Sequence, residues 1–486
     1  MTELKKQARA GALWSGVDAL GARLIQFIVG VILARLLAPS EFGLVAMLSV
    51  FIAVAQAIAD GGFAVALIQK KELSQIETSS VLWANLGVSI LLTALCFAGA
   101  PFAAEFYDEP KLTGIARALS FILVIDALSR IQASLLTRDL NFRTQAKVTL
   151  TAGLLSGITG IASAFAGLGV WSLVVQQLTT STARTILYWS LSSWRPGTGF
   201  SLTALRPLFG FGSKMLASNI LNQVFLNIYE LVIGKMFDAT TLGYYSRAAR
   251  LQALPTSTLS AIYSRVTLPL FSQIQGENDR LEAAIRKVLQ LNLLVSAPLM
   301  FSLAASADNL VPVLFTEKWN PCIPYFQLLC VFGLLQPIHS INLSALAASG
   351  RSDIFLTLEV IKKTSILVAL ALTFRHGVIA IILGRLVLEV LGAYLNTYYV
   401  AKEVGYGVFR QIADISPHLV VASLTGGIVF ATGRISPASP ALELALQIAA
   451  GAAFYLAVAF ATKLKGLEDV LDTLRPIYTR MISRFA

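Results

Sequence analysis

Long apolar stretches alternate with short polar connections along the whole chain. A helix needs about 20 mainly apolar residues to cross the hydrocarbon core of a bilayer, and about fourteen stretches reach this length. The pattern therefore predicts an all-α polytopic membrane protein with about fourteen transmembrane helices. The predicted spans are 11–36, 41–68, 79–100, 114–137, 148–168, 170–192, 209–236, 242–271, 288–306, 323–349, 354–374, 378–401, 415–433 and 441–464.

Basic residues concentrate in every second connection between these spans. The connections on the side of the N-terminus carry most of the Lys and Arg residues, and the opposite side carries only a few. Basic connections stay in the cytoplasm when a membrane protein inserts. The asymmetry therefore predicts a multi-pass protein of the cytoplasmic membrane with both termini in the cytoplasm. The basic residues on the opposite side are Lys111, Lys318, Arg375 and Arg434.

The connection 193–208 is rich in Gly and Pro and falls after the sixth predicted span. This composition predicts a cytoplasmic linker between an N-terminal lobe, 1–192, and a C-terminal lobe, 209–401, with six helices each. Two more helices occupy 402–464. The tail 465–486 carries apolar residues at helical spacing, which predicts an amphipathic helix on the cytoplasmic membrane surface.

A weak internal repeat relates the two predicted lobes. Short matching segments recur near the end of the first span of each lobe, at the start of its second span, and after its third span. Transporters commonly consist of two such repeated halves. The matches are Val29-Gly30 with Ile233-Gly234, Phe42-Gly43 with Leu242-Gly243, and 106–109 with 314–317.

The composition excludes several classes of protein. Hydrophobic residues make up 56% of the chain and charged residues 13%, against about 45–50% and about 25% in soluble domains. The formal net charge of +11 lies in alternate connections, so it does not indicate a nucleic-acid partner. The chain has three Cys without a CxxC motif, three scattered His and no P-loop motif. We therefore expect no disulfide, no metal and no cofactor.

Several spaced blocks of the sequence resemble a known family. They resemble the bacterial polysaccharide-exporting flippases of the Wzx type, in the branch of colanic-acid exporters, within the multidrug/oligosaccharidyl-lipid/polysaccharide (MOP) exporter superfamily. The resemblance covers residues 1 to about 400. The blocks are LLAPSEFGLVAM (36–47), DGGF (60–63), ALIQ (66–69), LLTRDLNFRTQA (135–146), LGYYSRAARLQALP (242–255) and TLPLFS (267–272).

The resemblance implies a fold and a function. Two six-helix lobes enclose a central cavity, and two extra helices follow. The substrate is a polyprenyl-pyrophosphate-linked oligosaccharide, which crosses the inner membrane of a bacterium by alternating access during exopolysaccharide or lipopolysaccharide assembly. The implied partners are this lipid-linked substrate, membrane lipids, and the polysaccharide polymerase with its export machinery.

Ionisable residues inside the predicted spans are the candidate functional residues. Each costs about 2.5–3.5 kcal/mol on insertion scales, so it persists where it has a partner or faces a wet cavity. Their excess of positive charge suits the diphosphate of such a substrate. The candidate cavity cations are Arg23, Arg130, Arg184, Arg247 and Arg250, and the candidate coupling carboxylates are Asp60, Asp126 and Glu230.

Each candidate has a structural alternative. Arg23 can pair with Asp18 or with another helix, and Asp60 is either a coupling carboxylate or a partner of Arg23. Asp126 with Arg130, and Arg385 with Glu389, have the i, i+4 spacing of structural pairs. Arg247 and Arg250 lie one turn apart and can snorkel to the interface. Pro255 is a candidate hinge, and its alternative is a static kink.

Two other functions compete with the flippase hypothesis. A cation-coupled drug exporter of the same superfamily would need an acidic, aromatic site, which the positive bias disfavours. A membrane polysaccharide polymerase or glycosyltransferase would need a catalytic constellation. The acidic pair Asp108-Glu109 in an outer connection has no second acidic partner nearby. We therefore expect a transporter rather than an enzyme.

Overall fold

The computed structural model of the chain describes residues 2–70, 72–435 and 439–467, and this part contains sixteen α-helices and no strand. Two short 3-10 segments, Glu317–Cys322 and Phe374–His376, connect longer helices. The helices are α1 Thr2–Leu36, α2 Pro39–Asp60, α3 Phe63–Gln69, α4 Gln75–Tyr107, α5 Leu112–Arg138, α6 Phe142–Phe165, α7 Trp171–Leu191, α8 Leu202–Met236, α9 Ala239–Gln273, α10 Asn278–Ala305, α11 Ala307–Phe315, α12 Ile323–Ala348, α13 Ser352–Thr373, α14 Val378–Val404, α15 Val408–Ile435 and α16 Pro440–Ala461.

The predicted all-α polytopic membrane architecture is confirmed. Every predicted span overlaps a helix, and 11 helices of the described chain are long and apolar enough to cross a membrane. The remaining three predicted spans correspond to α7, α9 and α13, whose polar and charged side chains lower their hydropathy. The count of fourteen spans therefore stays a prediction.

One predicted span, 41–68, is divided into two helices. α2 ends at Asp60, and Gly61 and Gly62 follow with φ angles of 59° and 73°. This left-handed conformation is strained for residues with a Cβ atom and ends the helix. The prediction of one continuous helix over 41–68 is wrong here, because two consecutive glycines end α2 ahead of the short α3.

The described chain forms two compact units, residues 1–246 and 247–486. In the first unit α1 packs on α6, α6 on α7, α4 on α5, and α2 on both α5 and α8. In the second unit α10 packs on α12 and α15, α14 on α12 and α13, and α16 on α15. The predicted lobe boundaries stay a prediction, and the predicted amphipathic tail lies outside the described residues from position 468 onward.

The predicted linker 193–208 has an irregular first half that is held against α4. The backbone N–H of Gly197 donates to the Ser79 hydroxyl at 2.8 Å, and the indole N–H of Trp83 donates to the Gly197 carbonyl at 3.1 Å. The second half opens α8 at Leu202, with Ser201 as its N-terminal cap. The first half of this segment is therefore irregular, and α8 begins at Leu202, earlier than the predicted span 209–236.

Within the first unit, the starts of α2 and α9 cross at two glycines. A Cβ atom built on Gly43 would lie 1.6 Å from the carbonyl oxygen of Ala239. A Cβ atom built on Gly243 would lie 2.0 Å from the carbonyl oxygen of Pro39. The two helices therefore approach each other reciprocally, through glycines that the sequence repeat had matched.

Candidate functional site

An ion pair joins α2 and α5 in the first unit. Arg130 Nη1 lies 3.3 Å from Asp60 Oδ1, and both side chains are mostly buried. The same Nη1 donates to the backbone carbonyl of Gln56 at 3.2 Å. Asp60 is the last residue of α2, where the negative end of the helix dipole disfavours a carboxylate. The guanidinium of Arg130 therefore neutralises both the carboxylate and the helix terminus.

The same helices hold the second candidate carboxylate. Asp126 accepts a hydrogen bond from the Gln56 side chain at 3.4 Å. The spacing of Asp126 and Arg130 had suggested a pair within α5, but Arg130 pairs with Asp60 instead. The helix break at Gly61 brings the end of α2 beside α5, which the local spacing does not show. Asp60 and Asp126 thus share one polar contact region with Arg130.

The third candidate carboxylate lies between α8 and α2. Glu230 accepts a hydrogen bond from the Ser49 hydroxyl at 2.9 Å, and Tyr107 of α4 lies within electrostatic reach of it. Ser49, Gln56 and Asp60 follow one another at seven- and four-residue intervals, so they lie on one face of α2. This face carries all the polar contacts of the candidate carboxylates.

The first unit also contains the candidate cations Arg184 and Arg23. Arg184 of α7 is exposed and lies close enough to interact with Asp18 of α1 and Tyr188. Arg23 is half-buried in the middle of the first membrane span, Trp14–Leu36. The sequence had suggested Asp18 as a partner of Arg23, and the structure places Asp18 next to Arg184.

Arg247 in the second unit is buried, and its role as a cavity cation stays a prediction. It is 8% exposed, and its guanidinium lies 4.5 Å from the ring centre of Phe315 and 5.7 Å from that of Trp319. The rings belong to α11 and the 3-10 segment, which had been predicted as an irregular outer connection. Cation–π stacking stabilises a guanidinium that is removed from water.

Arg250 differs from Arg247 although it is one turn away. It is exposed, it lies near the like charge of Arg247, and it forms no hydrogen bond or ion pair with the part of the chain that the structure describes. A charge in this situation requires solvent or an anionic ligand. Of the candidate cations, Arg250 therefore has the clearest capacity to bind an anion.

Pro255 lies inside an unbroken α9. The nearby hydroxyl of Thr258 donates to the Leu254 carbonyl at 2.8 Å, and Thr256 donates to the Gln252 carbonyl at 3.3 Å. These side-chain bonds satisfy backbone carbonyls around the proline, whose missing N–H weakens the helix. The hinge role of Pro255 stays a prediction.

A charged cluster between α12, α13 and α14 was not predicted from the sequence. Lys362 Nζ lies 3.1 Å from His339 Nε2, and Glu389 of α14 lies within electrostatic reach of Lys362. Arg385, predicted to pair with Glu389, also stacks at 4.2 Å on the ring of Phe332. The available signal was the Lys362-Lys363 pair in the middle of predicted span 354–374. In the described residues no group of three or more His, Cys, Asp or Glu side chains could hold a metal ion.

Comparison with known proteins places these features in a family. A family model described as "Polysaccharide biosynthesis protein" matches residues 32–324. The lipopolysaccharide biosynthesis protein WzxC of Escherichia coli (strain K12) is 30% identical over 415 residues, which cover 84% of each chain. The teichuronic acid biosynthesis protein TuaB of Bacillus subtilis (strain 168) is 28% identical and covers 94% of this chain and 96% of its own.

A solved structure has the same fold. The lipid II flippase MurJ in an inward closed conformation aligns with a TM-score of 0.73, at 15% identity, over 93% of this chain and 99% of its own. The architecture is therefore that of a multi-helix membrane protein with this fold. The chain belongs to the polysaccharide biosynthesis protein family, whose model matches more than half of its residues.

Proposed function

We propose that this protein is a flippase that moves a polyprenyl-diphosphate-linked oligosaccharide across a bacterial inner membrane for exopolysaccharide or lipopolysaccharide assembly. The observation that carries the proposal is the exposed guanidinium of Arg250, within a predicted membrane span and without an ion pair in the described chain. A diphosphate supplies the negative charge that such a cation needs, and bidentate contacts favour Arg for this purpose.

The remaining candidate cations divide into two groups under this proposal. Arg184, which is exposed, and Arg23, at the middle of its span, stay candidate cavity cations of the first unit. Arg130 and Arg247 have a structural role, because a carboxylate already holds the charge of Arg130 and two aromatic rings hold that of Arg247. The candidate carboxylates Asp60, Asp126 and Glu230 are kept as possible coupling groups.

The similar proteins support the class of substrate. WzxC and TuaB are named for the biosynthesis of surface polysaccharides, and MurJ is a flippase of lipid II. We propose that transport occurs by alternating access without catalysis, that both termini lie in the cytoplasm, and that a polysaccharide polymerase uses the delivered substrate. A drug exporter is the second candidate. The exposed Arg250, which forms no ion pair with the described part of the chain, argues against it because its positive charge repels organic cations.

Reconstitution into liposomes tests the proposal. Polyprenyl-diphosphate oligosaccharides are placed in both leaflets, and a membrane-impermeant reagent that modifies the sugar reports how much lipid reaches the outer leaflet. We expect the wild-type protein to make nearly all the lipid accessible and Arg250→Gln to slow this by at least tenfold. Arg280→Gln, which removes an exposed Arg at the start of α10, is the matched control and should match wild type.

Three results would contradict the proposal. The first is equal lipid movement in wild type and empty liposomes for every oligosaccharide supplied. The second is unchanged movement in Arg250→Gln. The third is lengthening or transfer of the sugar chains by the purified protein, which would identify a polymerase or glycosyltransferase. In cells, deletion of the gene should leave lipid-linked repeat units in the inner leaflet.

A further inference from the structure

The cluster of His339, Lys362 and Glu389 lies near the middle of the membrane. His339 is about 14 Å from the C-terminal end of α12, and Lys362 is about 15 Å from the adjacent start of α13. Glu389 is about 17 Å from the start of α14. In a hydrocarbon core of about 30 Å these depths are close to the midplane. Ionisable groups at this depth are costly and mark functional sites.

The contact between His339 and Lys362 limits where protons can be. An ammonium group has only donors, and a protonated imidazole also has only donors. At 3.1 Å between Nζ and Nε2, one nitrogen must accept, so both cannot be charged together. With Lys362 charged, His339 is neutral, and its own proton lies on Nδ1. A further proton can enter only at Nε2, and it must displace Lys362.

A carboxylate is available to receive the displaced lysine. Glu389 lies within electrostatic reach of Lys362, and Glu359 lies 3.9 Å from it on the same helix. The other charged groups that face the cluster are Lys363, which lies 3.8 Å from Glu359, and Arg385 beside Glu389. Three cations thus face two carboxylates when His339 is neutral. This excess of positive charge disfavours a metal cation.

The Nδ1 side of the imidazole ring faces α14. His339 Nδ1 has no hydrogen-bond partner in the described chain. A Cβ atom on Gly392 of α14 would lie 3.4 Å from this nitrogen. One turn further along α14, Asn396 donates to the His339 carbonyl at 3.1 Å, while its own side-chain oxygen is buried without a partner. His339 Nδ1 and the Asn396 side-chain oxygen, neither of which has a partner in the described chain, therefore lie where α12 contacts α14.

A row of polar side chains, called the seam below, continues from Asn342 towards Tyr406 and Asp414. Asn342 donates to Thr397 at 3.2 Å and to the Gln411 side chain at 3.0 Å. Gln411 in turn donates to the Tyr406 carbonyl at 3.3 Å. The Tyr406 hydroxyl donates to Asp414 at 3.0 Å, and Arg286 lies 2.8 Å from the same carboxylate. Buried polar groups in a row give hydrophilic access where apolar packing would exclude it.

We propose that His339, Lys362 and Glu389 form a proton-binding site that communicates with the predicted cytoplasmic side through this seam. A proton taken from solution binds His339 Nε2, and Lys362 leaves the imidazole and pairs with Glu389. Release of the proton restores the contact between Lys362 and His339. Proton occupancy thereby exchanges a contact between α12 and α13 for one between α13 and α14, which is the kind of two-state element that transport cycles need.

Nuclear magnetic resonance of the histidine rings tests this site directly. The chain has three His, so His376→Gln combined with His418→Gln leaves His339 as the only signal. In full-length labelled protein in detergent, we expect a neutral ring with its proton on Nδ1 at high pH and uptake of one proton as pH falls. Lys362→Gln should move the midpoint to higher pH by about one unit or more, because a neighbouring positive charge is lost.

Control variants distinguish an effect at this site from a general effect of removing a charge from the protein. Lys402→Gln removes an exposed lysine from the last turn of α14 and should leave the midpoint unchanged. Glu389→Gln should move the midpoint to lower pH, and it replaces Lys362→Gln if that variant does not fold. The proposal is overturned if the ring does not titrate between about pH 4 and pH 9, or if Lys362→Gln and Glu389→Gln both match wild type. The titration needs no transported lipid, so its failure is distinct from a failure of the proposed transport.

Discussion

Arg130 and Asp60 form an ion pair across α5 and α2, with Nη1 and Oδ1 3.3 Å apart. The pair lies at the C-terminal end of α2, which ends at Asp60 because Gly61 and Gly62 follow it. Removing the guanidinium would leave a mostly buried carboxylate at the negative end of α2 and would remove a hydrogen bond to the Gln56 carbonyl.

We therefore expect Arg130→Ala to destabilise the protein by about 1–3 kcal/mol. The double variant Arg130→Gln with Asp60→Asn should be more stable than the two single losses together imply, because neither charge is then stranded. Thermal unfolding in detergent measures both effects. Asp126→Asn is the control, since the one side-chain hydrogen bond of Asp126 in the described chain is a long one from Gln56. The coupling would be contradicted if the stability loss of the double variant equalled the sum of the losses of Arg130→Gln and Asp60→Asn.

The contrast between Arg247 and Arg250 gives a second prediction. Arg247→Lys should lower stability by about 0.5–2 kcal/mol, because an ammonium group stacks poorly on Phe315 and Trp319. Arg250→Lys should leave stability unchanged, since this side chain is exposed. Paired melting curves of the two variants compare them under identical conditions. Equal losses in both would contradict the assignment of Arg247 to a packing role.

The crossing of α2 and α9 gives a third prediction. Gly43→Ala would place a methyl group 1.6 Å from the Ala239 carbonyl oxygen, so the helices must separate. We expect a loss of about 1–3 kcal/mol by overpacking, seen as a lower unfolding temperature. Gly87→Ala in α4 has nothing within 4 Å of the new atom and should be neutral or stabilising. A wild-type melting temperature in Gly43→Ala would show that the helices are not in this contact.

The start of α13 gives a prediction about pH. Hydrogen bonds from Arg351 lower the pKa of Asp353 to about 2, from an ordinary value of 3.8. Because the folded pKa lies below the unfolded one, the charged pair contributes stability above about pH 4 and loses it as pH falls towards 2. The difference in melting temperature between wild type and Asp353→Asn should be small at pH 6 and vanish near pH 2. A difference that grows on acidification would contradict this sign.

Hydropathy predicted where the helices lie, because each span must satisfy its backbone within one apolar segment. Local spacing did not predict how the charges pair. Arg130 had an acidic neighbour four residues away, yet its partner is Asp60 on another helix, which the break at Gly61 brings close. Such a pairing depends on how helices pack, and no single segment contains that information.

The burial of Arg247 and the cluster at His339 were missed for the same reason. Arg247 stacks on rings from α11 and the 3-10 segment, which are remote in sequence and were predicted as an irregular connection. His339 and Lys362 are 23 positions apart on successive helices. A charge within an apolar span indicates that another group or water must neutralise it. Only the fold shows which group does so.

The reciprocal contact of Gly43 with Ala239 and of Gly243 with Pro39 has an evolutionary consequence. Each glycine faces backbone, which no side-chain substitution can remodel. Both positions should therefore resist drift long after the rest of the two halves have diverged.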